Sequence, residues 1–64
     1  MTNEQLYLWR KQRGWSRAVA AKKLGISTAS LQIYERGARF ENLEPVAVPK
    51  LVALACQQLT LETL

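Results

Sequence analysis

Ser16-Arg17-Ala18-Val19-Ala20-Ala21-Lys22-Lys23-Leu24-Gly25-Ile26-Ser27-Thr28-Ala29-Ser30-Leu31-Gln32-Ile33-Tyr34-Glu35-Arg36-Gly37 carries the start and stop signals of two short helices. Ser16 and Ser27 are good N-caps, because a serine hydroxyl accepts from the free N–H groups of a helix's first turn. Gly25 and Gly37 suit the left-handed position just past a helix end, where a Cβ is penalised. The spacing predicts helices over Arg17–Leu24 and from Ser27 to about Arg36. Ala18, Ala20 and Ala21 are strong helix formers with little bulk, so another helix can approach closely. Ile26 follows Gly25 as a short apolar plug.

Outward from this stretch, Thr2-Asn3-Glu4-Gln5 fits a capping box and predicts a first helix from about Asn3 to Arg13. Leu6, Trp9 and Arg13 stack on one side of it, and Gly14 stops it. On the other flank, Ala38 to Val46 reads as a loop containing Pro45. Pro49 suits the first turn of a further helix, about 49–59, which is apolar around most of its circumference. Thr60 to Leu64 extends that helix or adds a short element. Clean strand alternation, repeats and low-complexity tracts are all absent from the sequence. The expectation is an all-α, compact single domain over 1–64, with four to five helices.

Composition narrows the function. Sixty-four residues with 48% hydrophobic and 22% charged side chains are ordinary globular values. A chain this short buries only about 60% of its unfolded surface and usually needs a staple. One cysteine and no histidine exclude an internal disulfide and a tetrahedral zinc site, so no metal is expected and oligomerisation is the staple that remains. Missing histidine also removes the commonest general base. Gly14, Gly25 and Gly37 are accounted for as helix stops and not as a phosphate-cradling loop. No catalytic residue and no cofactor is assigned, and the protein reads as a non-enzyme. No run of 18 apolar residues suggests a membrane span, and the polar Met1-Thr2-Asn3-Glu4-Gln5 start does not read as a secretory signal, which points to the cytoplasm.

Charge is uneven. Residues 1–39 hold eight basic and two acidic side chains, for +6, whereas residues 40–64 hold one and three, for −2. A basic front and a mildly acidic, leucine-rich back suggest one surface facing a polyanion and another for something else.

On a helical wheel with Thr28 at zero, Gln32, Arg36, Ala29 and Ile33 fall within about 140°, while Leu31 and Tyr34 fall on the opposite side. Thr28, Ala29, Gln32 and Ile33 combine hydroxyl, amide and apolar groups, which suits the donors, acceptors and thymine methyls of the DNA major groove. Alone, this pattern fits an ordinary amphipathic surface helix better than a reading helix. Two capped helices around a Gly25-Ile26 turn, however, make a helix-turn-helix over about 16–36. Arg17 at the start of its first helix, with Ser27, Arg36, Arg39 and Asn42 around its second, are then candidates for phosphate contacts that hold the reading helix in register.

The pattern Arg10-x3-Gly14-x-Ser16-Arg17-x3-Ala21-x2-Leu24-Gly25-Ile26-Ser27-x3-Leu31-x2-Tyr34-Glu35-Arg36-Gly37 resembles the lambda-repressor/Cro-type (XRE) helix-turn-helix family. The resemblance covers about Leu6 to Leu59. It implies that Thr28, Ala29 and Ile33 meet bases, that Arg17 contacts DNA, and that Arg10 and Glu35 form a partly buried structural ion pair. Two positions depart from the family pattern. Thr28-Ala29 offers fewer hydrogen bonds than the usual glutamine or serine, which shifts specificity toward methyl contacts, Gln32 and DNA shape. Ala20 replaces a common leucine, so Trp15 or Tyr34 is expected to fill the space.

Trp9 and Trp15 are read as core aromatics, and Cys56 as a buried small hydrophobe. Lys22 and Lys23 are read as a solvated face that adds weak long-range attraction for DNA at most, and Lys50 as either solvated or in reach of a phosphate. Leu54, Leu59, Leu61 and Leu64 exceed what so small a back wall needs. Several of them, with Val52 or Leu51, are expected at a two-fold homodimer interface, chiefly Val52, Leu59, Leu61 and Leu64; the others pack against Leu6 and Trp9 within the chain. A C2 dimer sets two reading helices about 34 Å apart, the spacing of successive major grooves. The reading is a sequence-specific regulator of double-stranded DNA, a Cro-like phage or bacterial repressor on a palindromic operator. Its rivals are the DNA-binding antitoxin of a toxin–antitoxin pair, with a toxin as protein partner, and a helix-turn-helix used only for protein contact.

Overall fold

The computed structural model describes residues 1–39 and 41–62, and these form four helices and no strand: α1 (Asn3–Gln12), α2 (Arg17–Leu24), α3 (Thr28–Arg36) and α4 (Lys50–Glu62). The fold is all-α. At the start of α1, Thr2 Oγ1 accepts from the Gln5 N–H at 3.0 Å and Gln5 Oε1 accepts from the Thr2 N–H at 2.8 Å, a reciprocal capping box. The helix ends at Gln12, one residue earlier than expected, with Arg13 as its C-cap. α4 starts just after Pro49, whose carbonyl accepts from Val52 and Ala53, and runs on through Thr60-Leu61-Glu62. The tail residues up to Glu62 are thus a continuation of the helix; Thr63 and Leu64 lie outside the described residues.

One buried cluster draws on all four helices: Leu6 from α1, Ala20 and Ala21 from α2, Leu31 from α3, Val52 and Cys56 from α4. Trp9, Trp15, Leu24, Ile26, Tyr34 and Val48 pack around it, so both Trp15 and Tyr34 border the cluster that contains Ala20. Val52 corrects the expected interface. It is only 6% exposed and lies one helical turn from Cys56, so its side chain belongs to this chain's own core and is not available to a second copy. Burial also pushes the Cys56 thiol up to about 11, against the pull of the Arg13 charge, and it stays protonated at neutral pH.

Between α3 and α4 the chain is pinned more tightly than a loop reading suggests. Ala38 pairs with Pro45 in a single antiparallel bridge, the Arg39 N–H donates to Glu44, and the Leu43 N–H donates to Arg39. Leu43 turns the corner at φ +58°. Asn3 then fastens this segment to α1: its Nδ2 donates to the Tyr34 carbonyl at 2.7 Å and to the Val46 carbonyl at 2.8 Å. Gly37 is required twice there. Its φ is +81°, and a Cβ on it would sit 3.1 Å from Asn3 Cγ.

A second tie joins α1 to the end of α4. Trp9 and Trp15 meet edge to face at 5.6 Å, with the Arg13 guanidinium 4.9 Å from the Trp9 ring centroid. The Thr60 hydroxyl accepts from Trp9 Nε1 at 2.9 Å and from Arg13 Nη2 at 2.8 Å, and donates to the Cys56 carbonyl at 2.8 Å.

Candidate nucleic-acid interface

The turn between α2 and α3 is built from local rules. Ser16 Oγ accepts from Val19 N–H at 3.2 Å to start α2. At its end Gly25 adopts φ +76° and donates to Lys22, while the Ile26 N–H donates back to Ala21 at 3.0 Å. Those two bonds form a Schellman motif, which reverses the chain within two residues and tucks Ile26 against the core. Ser27 restarts the chain as α3: its Oγ accepts from the Ser30 N–H at 3.0 Å and donates to Ser30 Oγ at 2.8 Å. α3 packs on both α1 and α2.

Leu31 is fully buried and Tyr34 half-buried behind α3, whereas Thr28, Ala29 and Gln32 are exposed and Ile33 lies half-covered beside them. These four side chains come from one helix face, and no other described segment buries the first three. The N–H groups of Thr28 and Ala29, in the first turn, have no partner within the helix.

Arg10 and Glu35 meet in a bidentate pair, Nε to Oε2 at 2.6 Å and Nη2 to Oε1 at 3.0 Å. Arg10 Nη1 also donates to the Trp15 carbonyl at 3.0 Å. Donating its hydrogen bonds to Glu35 outweighs desolvation and holds the Arg10 guanidinium above its ordinary pKa. Sequence reasoning missed a third member: Arg17 Nε donates to Glu35 Oε1 at 3.3 Å. The spacing of eighteen residues gives no periodic signal for that contact.

The phosphate candidates fall into two groups. Arg17, Arg36 and Arg39 have exposed side chains. Ser27 and Asn42 are partly occupied: the Ser27 hydroxyl caps α3, and Asn42 Oδ1 accepts from the Glu44 N–H at 3.0 Å, which leaves the Asn42 amide donors for a ligand. Part of the basic front is engaged within the chain itself. Arg10 is neutralised by Glu35, Arg13 stacks on both indoles, and Lys23 Nζ stands 5.0 Å from the Trp15 centroid. Among the dimer candidates Leu59 is half-buried and Leu61 exposed, and Leu64 falls outside the described residues.

The helix-turn-helix domain family matches residues 4–57. The chain belongs to that family. The match spans all of α1 to α3 except Asn3, and the first eight residues of α4, so the family is matched by the core as well as by the turn. Membership agrees with the lambda-repressor/Cro-type resemblance and marks this helix-turn-helix protein as a DNA-binding regulator of a typically non-enzymatic class. No curated protein and no solved structure matches it. Among the described residues, no helix is long and apolar enough to cross a membrane, and no group of side chains could hold a metal ion.

Proposed function

We propose that this helix-turn-helix protein is a sequence-specific repressor that binds double-stranded DNA as a homodimer on a near-palindromic operator and blocks transcription by occupancy. The observation that carries this reading is the α3 face: Thr28, Ala29 and Gln32 exposed, Ile33 at their edge, and Leu31 anchoring the helix from behind. Thr28 and Gln32 supply hydrogen-bonding groups, and Ala29 and Ile33 supply apolar contact for thymine methyls. Arg17, Arg36 and Arg39 supply the backbone contacts, with Ser27 contributing its main chain and Asn42 its amide. Selection of bound sites from random duplex DNA tests the whole reading, since it reports binding, symmetry and half-site spacing together. The expected outcome is an enriched, near-palindromic site bound at roughly 10⁻⁸ M or tighter; a pool with no enriched sequence overturns it.

Ile33→Ala is expected to relax preference at one base step by about 1–3 kcal/mol and leave the rest of the site unchanged. The same selection repeated on the variant checks it. An unaltered preference would place Ile33 off the DNA.

The homodimer reading rests on α4. Leu51, Leu54 and Leu61 are all exposed, Leu51 at 80%, and they fall within an arc of about 80° on the side away from Val52 and Cys56. Leu54→Lys with Leu61→Lys is expected to convert a sedimenting dimer into a monomer at micromolar concentration and to weaken operator binding. A parent protein that is monomeric with and without DNA removes the homodimer and hands the stripe to a different protein partner. Exposed Tyr7 and Leu8 on α1 favour that second reading.

A further inference from the structure

Resting on the DNA-binding reading, we propose that Glu35 is a positioning residue that orders Arg17 for a backbone phosphate before DNA arrives. The Glu35 side chain is 2% exposed and held from behind by Arg10, at 2.6 Å through Oε2. Its other oxygen, Oε1, is shared between Arg10 Nη2 at 3.0 Å and Arg17 Nε at 3.3 Å. Arg17 itself is 44% exposed. One of its five guanidinium N–H donors is therefore directed inward to Glu35, and the Nη groups are left for a ligand. Two arginines share one carboxylate, so the group keeps a net positive charge for a phosphate to meet. A phosphate that binds the Nη groups displaces nothing from Glu35.

The gain is one of preorganisation. An arginine held at Nε loses less rotamer freedom on binding than a freely moving side chain, a difference of about two- to tenfold in affinity. It is sequence-independent, because phosphates carry no base information. Lysine cannot substitute, since a single ammonium on a flexible stem does not offer separate edges to Glu35 and to phosphate.

The test compares the parent protein, Arg17→Lys and Arg17→Ala on a mixed-sequence duplex of about 20 base pairs, across salt from about 50 to 200 mM. Arg17→Lys retains the charge, so it is expected to bind about two- to tenfold more weakly with an unchanged salt slope, whereas Arg17→Ala also loses about 0.9 from the slope. In the free protein, the Arg17 Nε–H resonance is expected to exchange with water more slowly than that of exposed Arg39, and to shift in Glu35→Gln. Arg17→Lys matching the parent at every salt concentration, or an Arg17 Nε–H as labile as that of Arg39, overturns the proposal. A parent that leaves the duplex unbound at the lowest salt overturns the DNA-binding reading itself, and that is seen without any variant.

Discussion

Arg10→Ala is expected to destabilise the fold by about 3–5 kcal/mol, because it strands the Glu35 carboxylate in a site where only 2% of its side chain meets solvent. A 64-residue domain carries roughly 3–10 kcal/mol in all, so this one substitution removes a large share of the stability. Three bonds go with the guanidinium: two to Glu35 and one to the Trp15 carbonyl, which then has to find water. Arg17, 3.3 Å from Glu35 in the parent, partly compensates and sets the loss toward the lower end of that range. Thermal unfolding followed by circular dichroism reads the effect. Arg10→Met combined with Glu35→Leu is expected to recover much of the loss, since replacing both partners of a buried pair removes the uncompensated charge. A double variant no more stable than Arg10→Ala would show that the damage came from elsewhere.

Leu31→Ala is expected to cost about 2–5 kcal/mol, the range for truncating a fully buried leucine. Leu31 is completely covered and sits in the one cluster shared by all four helices, with small Ala20 and Ala21 among its neighbours. Such short side chains cannot move in to fill the cavity, which argues for the upper part of the range. The functional consequence is separable from unfolding. With its inner anchor gone, α3 holds Thr28, Ala29 and Gln32 less firmly, so discrimination between base sequences is expected to fall more than non-specific, salt-dependent binding. Melting curves give the first quantity, and the ratio of selected to mixed-sequence affinity gives the second. Equal loss of both at a temperature where the variant remains folded would disprove the anchoring role.

What the sequence made legible was local. Thr2 with Gln5, Ser16, Ser27, Gly25 and Gly37 act within three or four residues of themselves, so their capping roles follow from residue type and spacing. Distance in the chain defeats that logic. Asn3 bonds to carbonyls 31 and 43 residues away, Thr60 bonds to Trp9 across 51, and neither carries a periodic signal. The Ala38–Pro45 bridge is a single pair, too short to show alternation. The sequence does not separate Val52 from the outward leucines because α4 is apolar almost all round, and hydrophobicity alone does not say which side of such a helix turns inward. The inward pair, Val52 with Cys56, is distinguished from the outward Leu51, Leu54 and Leu61 only by packing. On α3 the sequence does distinguish the two sides, since its polar and apolar residues segregate: Leu31 is buried, and Thr28 and Gln32 are exposed.

The junction at Thr60 makes the protein its own optical gauge. The Trp9 indole donates to a hydroxyl that is itself fixed by the Cys56 carbonyl on the last turns of α4, and it meets Trp15 edge to face. Any unwinding of those turns takes the acceptor from Trp9, so intrinsic emission follows the state of the helix that bears Leu61 with no dye or label attached.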